Sequence, residues 1–406
     1  MSMIAWLDTS EDEERRMREL IKLLSDSDTL DDLGVGQIRD AFGDLLFPGI
    51  STIQTRARYL LFVPWTYQRA ARRYVGAELA SRAANEERQL VDALNSAGAT
   101  DGLIGRRAGV RVKVLPSSIY WTGLKTYSIL RTDVRPSGLQ QARTSRPRED
   151  DADEAGFSDW SPSLPPAPGG FPTTVPGGFD LTATEASWLR EQMATAKPHP
   201  RFEHSLLSHL LRRGDEPDDE WSAPWDINDL TSAPADLRGL VHHAEMFSLV
   251  VQGARLLYNL LLAQRYEELG FTSLDAPADH YREALAEWAV RCEARRTEVL
   301  AWQVSDLWPL AALKAPRISP ATRIFVETWV AAVQSQDCRT LTADPELRRL
   351  VADREFQNKR AQSRLRNEKL LATWRGASGT APLVYRWFQA HRIVTDIFEG
   401  LGRADA

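Results

Sequence analysis

Between Ser145 and Asp180 the chain carries seven prolines (Pro147, Pro162, Pro165, Pro166, Pro168, Pro172 and Pro176), two Gly-Gly pairs and an acidic cluster from Glu149 to Glu154. Proline fixes φ and has no N–H to donate, so no packed helix or strand runs through such a segment. The 406-residue chain is thereby divided into three parts. These are an N-terminal helical unit over 1–144 with a short β element, a Pro/Gly-rich acidic linker or surface strap over 145–180, and a C-terminal helical domain over 181–406. Phe157, Trp160 and Phe171 favour a strap pinned to a folded surface, because a free linker rarely needs large aromatics.

On either side of this segment the pattern is helical. In Phe47 to Tyr67, Ser51 and Gln54 have capping-box spacing, and Ile53, Ala57, Leu60 and Leu61 mark one face of an amphipathic helix that Pro64 should stop or bend. Thr182 with Glu185 repeats the box, and Ala235 to Leu269 reads as one long helix closed by Gly270. Ser319-Pro320 and Asp344-Pro345 each place a capping residue before proline at the first helical position. One segment reads as a strand, Val110 to Leu115, where three valines alternate with Arg111 and Lys113 before Pro116. The expected fold is mainly α, a multi-helical body with at most one small β-hairpin or sheet near 110–115. No repeat of fixed period suggests a solenoid.

Hydrophobic residues make up 43% of the chain and include thirteen tryptophans, enough to build a sizeable core. Cys292 and Cys338, each alone in helical sequence, read as buried thiols of a reducing compartment. Asp8, Glu11 and Asp12 follow the short apolar start at once, unlike a signal peptide, and the most apolar run, Leu256 to Ala263, is too short for a membrane span. A cytoplasmic protein without a membrane segment is expected.

Net charge is -6, so the chain as a whole does not advertise a polyanion partner. Its distribution says more. No acidic residue lies between Asp44 and Glu78, where Arg56, Arg58, Arg69, Arg72 and Arg73 fall, or from Gly102 to Thr132. Pro345 to Arg375 holds nine Lys/Arg against four Asp/Glu. Read as one basic helix over 345–375, this segment puts Leu347, Leu350, Val351, Ala361 and Leu365 on one face and Arg349, Lys359, Arg360, Arg364 and Arg366 opposite. Arg354 and Lys369 fall nearer the apolar face and Phe356 nearer the polar one, so either the helix is broken or that face meets another surface. The turn Trp374-Arg375-Gly376-Ala377-Ser378-Gly379-Thr380 follows and leads to Tyr385-Arg386-Trp387. A phosphate seated on its backbone N–H groups beside Arg375 is one reading, and a structural turn capped by Thr380 is the other. The candidate phosphate or nucleic-acid ligands are therefore Lys359, Arg360, Arg364, Arg366, Arg375, Ser378 and Arg386, together with Arg56 and Arg58. An ordinary solvated charged face is the alternative.

Motifs for common chemistry are absent: the chain has no Walker A loop, zincin His-Glu motif, paired CxxC or GxSxG elbow. His242 and His243 are adjacent and so point about 100° apart on a helix, and His204 and His209 are five apart; neither spacing suits a metal. No metal or cofactor is assigned.

Four blocks carry a resemblance: Ile4-Ala5-Trp6-Leu7-Asp8, the TRARYLLFVPW core of Phe47 to Tyr67, Leu115 to Leu124, and Trp374 to Gly379 with Tyr385-Arg386-Trp387. Together they resemble a bacterial family of unknown function, similar to the first component of the Azaca anti-phage defence system. The resemblance implies a role beside a helicase fused to a phospholipase-D-like nuclease, with another small protein of the same operon. It supplies no catalytic residues. The expected function is an accessory subunit, leaning to non-enzymatic, that binds DNA or RNA or positions the helicase-nuclease. The alternatives are an unrecognised nucleotide- or nucleic-acid-processing enzyme using Arg375 with Asp396 or Glu399, and a pure protein scaffold or phage sensor.

Overall fold

The computed structural model describes residues 31–131 and 159–403, apart from 215, 219 and 229. The Ile4–Asp8 block, the 149–154 acidic cluster and Phe157 lie outside the described residues. Fourteen α-helices occur among the described residues: α1 Gly36–Leu46, α2 Tyr59–Ala71, α3 Gly76–Ser96, α4 Pro116–Thr126, α5 Ala183–Ala194, α6 Leu206–Arg213, α7 Ala235–Glu268, α8 Pro277–Ala294, α9 Arg296–Ala301, α10 Leu307–Ala311, α11 Pro320–Ser335, α12 Pro345–Lys359, α13 Glu368–Leu371 and α14 Trp387–Leu401. The fold is mainly α, and no strand is formed among the described residues. Where Val110–Leu115 reads as a strand, Gly109–Arg111 makes one 3-10 turn instead. Val112 and Val114 are buried, so the alternation is met by packing with no partner strand. Leu130 and Trp160 form an isolated antiparallel bridge.

The described residues separate into two compact units, one of 47–131, 159–222 and 386–403, the other of 31–46 and 223–385. The sequence-based division follows chain order; these units do not.

The first unit is built around α2, against which α3 and α4 pack. Residues 51–58 are not its first turns. Gln54 N–H bonds the Ser51 carbonyl at 3.3 Å, its side-chain amide donates to the Gly49 carbonyl at 3.0 Å, and the helix begins only after Arg58. Nor does Pro64 stop it. Every residue of α2 except Gln68 and Arg69 is buried, so packing on all sides outweighs the one hydrogen bond that proline removes. A helix apolar all round is a core element rather than the amphipathic one expected from its sequence. The Pro/Gly-rich segment from 159 onward lies on this core. Trp65 donates from Nε1 to the Pro165 carbonyl at 2.7 Å and meets Phe171 edge-on at 5.4 Å, while Trp160 packs 6.0 Å from both Tyr67 and Trp121. The Thr182–Glu185 box caps α5 as the spacing predicts. Gly400 lets α14 approach α5: an added Cβ there would lie 2.7 Å from that of Ala186.

The second unit is organised by α7, with α1, α8, α11 and α12 packed around it. By length and composition α7 passes as a membrane span, but 89% of its apolar window is buried, as in the core helix of a folded domain. Trp288 and Trp329 reach it and donate to the Leu249 and Val250 carbonyls, each at 2.8 Å. Gly253 leaves room for the Trp288 indole, which any Cβ would enter. Ser319 and Asp344 cap α11 and α12 as read from sequence. Cys292 and Cys338 are buried free thiols that hydrogen-bond to each other, and this contact with burial raises the Cys292 thiol far above its usual range.

His243, on α7, accepts a hydrogen bond at Nδ1 from Trp302 Nε1 at 2.9 Å. Burial, and then the neighbouring His242, hold its pKa below the ordinary 6.5. A histidine with a depressed folded pKa stabilises the fold above the ordinary value and loses that contribution as pH falls through the folded one. Melting measured at about pH 7 and pH 5 should therefore show a smaller acid-induced loss in His243→Gln than in the parent. Equal losses would show that His243 does not contribute to acid sensitivity.

Candidate functional site

The basic segment does not form a single helix. The α12 helix ends at Lys359, Arg360 takes φ 53° and ψ -119°, and a 3-10 turn over Arg360–Gln362 precedes the short α13. The break divides the expected cationic stripe into an inward and an outward set.

The inward set is neutralised. Asp32 is buried and pairs with Lys359 at 3.2 Å and Arg364 at 3.1 Å, and it also accepts from the Ser378 hydroxyl. Glu355, fully buried, accepts from the Tyr258 hydroxyl at 3.0 Å, the Arg364 N–H at 2.6 Å and the Ser363 hydroxyl. Burial and the charges of Asp32 and Glu355 push the Tyr258 hydroxyl far above its usual range. The cavity beside Asp32, Arg255, Tyr258 and Ser378 measures about 10 Å³, space for one water at most. Lys359, Arg364 and Ser378 thus hold the unit together. The glycine turn is structural as well. Asn259 accepts from the Ser378 N–H at 2.8 Å and donates to its carbonyl at 2.9 Å, and the Tyr281 hydroxyl donates to the Gly376 carbonyl. The Ser378 N–H that a phosphate would need is already engaged, and Thr380 caps no helix, since α14 starts at Trp387.

The outward set lines an open groove of about 410 Å³ formed by Phe356, Arg360, Ala361, Ser363, Arg366, Asn367, Glu368 and Lys369. Arg360, Arg366 and Lys369 are exposed. The Arg366 guanidinium lies 3.6 Å from the centroid of the half-buried Phe356 ring and donates to Asp353 at 3.3 Å, and Arg360 lies 5.9 Å from the same ring. Asn367 orders the floor by capping α13 and by donating to the Ala361 carbonyl at 3.4 Å. Arg375 is exposed a few residues beyond, outside the groove lining.

The remaining candidates belong to the first unit. Arg56 is buried, donates to Asp396 from Nε and Nη2 at 3.0 Å each, and lies 5.2 Å from the Phe179 ring. Burial raises the Asp396 carboxyl against the opposing pull of Arg56 and the Ala57 N–H. Arg58, 2% exposed, pairs with Glu185 at 2.9 Å and donates to the Pro176 and Gly178 carbonyls at 2.8 Å. Arg386 donates to the Ile50 carbonyl at 2.7 Å. Arg56 and Arg58 are therefore internal struts and present no cationic surface. They looked free because the segment around them lacks acids, while their partners come from distant parts of the chain.

Two positions that fitted the helical wheel poorly now have reasons. Arg354, placed near the apolar face, is buried and donates to the Leu33 carbonyl at 2.7 Å and the Thr322 hydroxyl at 2.8 Å. Phe356, placed among cations, carries the arginines of the groove. Arg360 and Arg366 of the same groove were already among the sequence candidates. Asp32, Tyr258, Asn259 and Glu355 left no signal in the sequence.

No curated protein and no solved structure matches the chain. A family model matches residues 1–400, nearly its whole length, and the chain belongs to that family, DUF6361, a family of unknown function.

Proposed function

We propose that this protein is a non-catalytic nucleic-acid-binding subunit of an anti-phage defence system, working beside the helicase-nuclease that the resemblance to the first Azaca component implies. The observation that carries the reading is the groove at the end of α12, where Arg360, Arg366 and Lys369 gather on the surface of a chain with net charge -6. Arg360 adds a second argument. Its φ of 53° and ψ of -119° belong to a region that favours glycine, and holding a side chain there costs about 1 kcal/mol or more. Backbone strain alone would favour glycine at this position, which fits an arginine placed there for its guanidinium.

Arg360→Gly should therefore raise the unfolding free energy by about 1 kcal/mol while weakening nucleic-acid binding. Combined with Lys369→Gln, it should reduce the slope of log affinity against log salt by about one to two, because each phosphate contact contributes about 0.7–0.9. Titration of a fluorescent oligonucleotide at several salt concentrations, with phage protection scored in parallel, tests both. Equal binding and protection by variant and parent would overturn the reading in favour of a protein scaffold.

A further inference from the structure

We infer that the groove takes an unpaired nucleotide, with its base stacked on the outer face of the Arg366 guanidinium and its phosphate held by Arg360 and Lys369; this rests on the nucleic-acid reading above. Arg366 is fixed from two directions. Its Cζ lies over the Phe356 ring, 3.6 Å from the centroid, and Nη2 is 3.3 Å from Asp353. Its side chain is nevertheless 53% exposed.

An arginine used only as a phosphate contact has no need of an aromatic support, and pairing with Asp353 offsets the charge such a contact would use. What the arrangement preserves is a rigid, weakly hydrated plane. Bases stack on arginine planes and aromatic rings, and every base has the required face, so the site reads strandedness rather than sequence. In a duplex both faces of a base are covered by its neighbours, and only an unpaired base can use this plane. At about 410 Å³ the groove falls within the ~300–1,000 Å³ range of small-ligand sites. Arg360 and Lys369, in the same lining, make no ion pair among the described residues, and their charge suits the phosphate attached to that base.

The test uses the full chain and two labelled probes, a 20-nucleotide oligo(dT) and a 20-base-pair duplex. The parent should bind the single strand more tightly. Arg366→Lys, which keeps the charge and loses the plane, should weaken oligo(dT) binding about tenfold with the salt slope unchanged. Phe356→Leu, which keeps an apolar side chain and removes the ring support, should act in the same direction. Melting curves establish that both variants are folded. If Arg366→Lys and Phe356→Leu bind like the parent while Arg360→Gly with Lys369→Gln binds weakly, stacking is overturned and the electrostatic reading stands. Equal parent affinity for duplex and single strand also overturns stacking. If the parent binds neither probe, the nucleic-acid reading fails and takes this inference with it.

Discussion

Glu355→Ala should lower the unfolding free energy of the protein by roughly 3–5 kcal/mol. The carboxylate is fully buried and accepts from Tyr258, Ser363 and the Arg364 N–H. Removing it strands two buried donors and the part-buried Arg364 N–H, and each buried unsatisfied group costs about 1–3 kcal/mol. Glu355→Gln keeps the volume and one oxygen acceptor, so its loss should be about half as large. Urea unfolding of the two variants measures the difference. Similar small losses from both would mean that water replaces the carboxylate and that the network contributes little to the fold.

Trp65→Ala should cost about 3–5 kcal/mol in the first unit. The indole is 1% exposed, packs against Phe62 and Phe171, and holds the Pro165 carbonyl through Nε1. Truncation leaves a large cavity and unties the Pro/Gly-rich segment at one point. Trp65→Phe separates the two effects, since it keeps most of the ring contact and loses only the hydrogen bond, worth about 1 kcal/mol. Limited proteolysis within 159–180 should accelerate in Trp65→Ala. An unchanged melting temperature and unchanged cleavage would show that the strap is held by its other anchors, Trp160 and the Ser163–Trp188 hydrogen bond.

Local chemistry was readable from the sequence wherever a single segment carries both halves of an interaction. Thr182 and Glu185 cap each other across three residues, Ser319 and Asp344 cap the turns that follow them, and the α7 helix shows its length in its own apolar pattern. The valine alternation at 110–115 misled because a strand also requires a partner, which no other segment supplies. In α2 the proline misled because the penalty it imposes was weighed without the burial that offsets it.

Charge was the least legible property. An acid-free stretch suggested exposed cations, yet Arg58 meets Glu185 from 127 residues away, Arg56 meets Asp396 from 340 away, and Arg364 meets Asp32 from 332 away. Counting residues in a window gives no warning of such pairs, because Coulomb attraction acts over distance in space and is indifferent to distance along the chain. The misfit of Phe356 on the polar face was visible beforehand as a sign of a broken helix or of a face that meets another surface.

By itself, then, the sequence determined the helical class, four helix starts (after Thr182, at Ala235, after Ser319 and after Asp344), the pinning of Trp160 and Phe171 and the acidic overall balance. The helical class and the helix starts rest on hydrogen bonds or periodicity within about one or two turns of chain. Only the tertiary structure decided which arginines are struts and which face water. That choice depends on carboxylates and carbonyls brought together by folding, and it reduced nine candidate ligands to a groove centred on Arg360 and Arg366, with Lys369 added beside them.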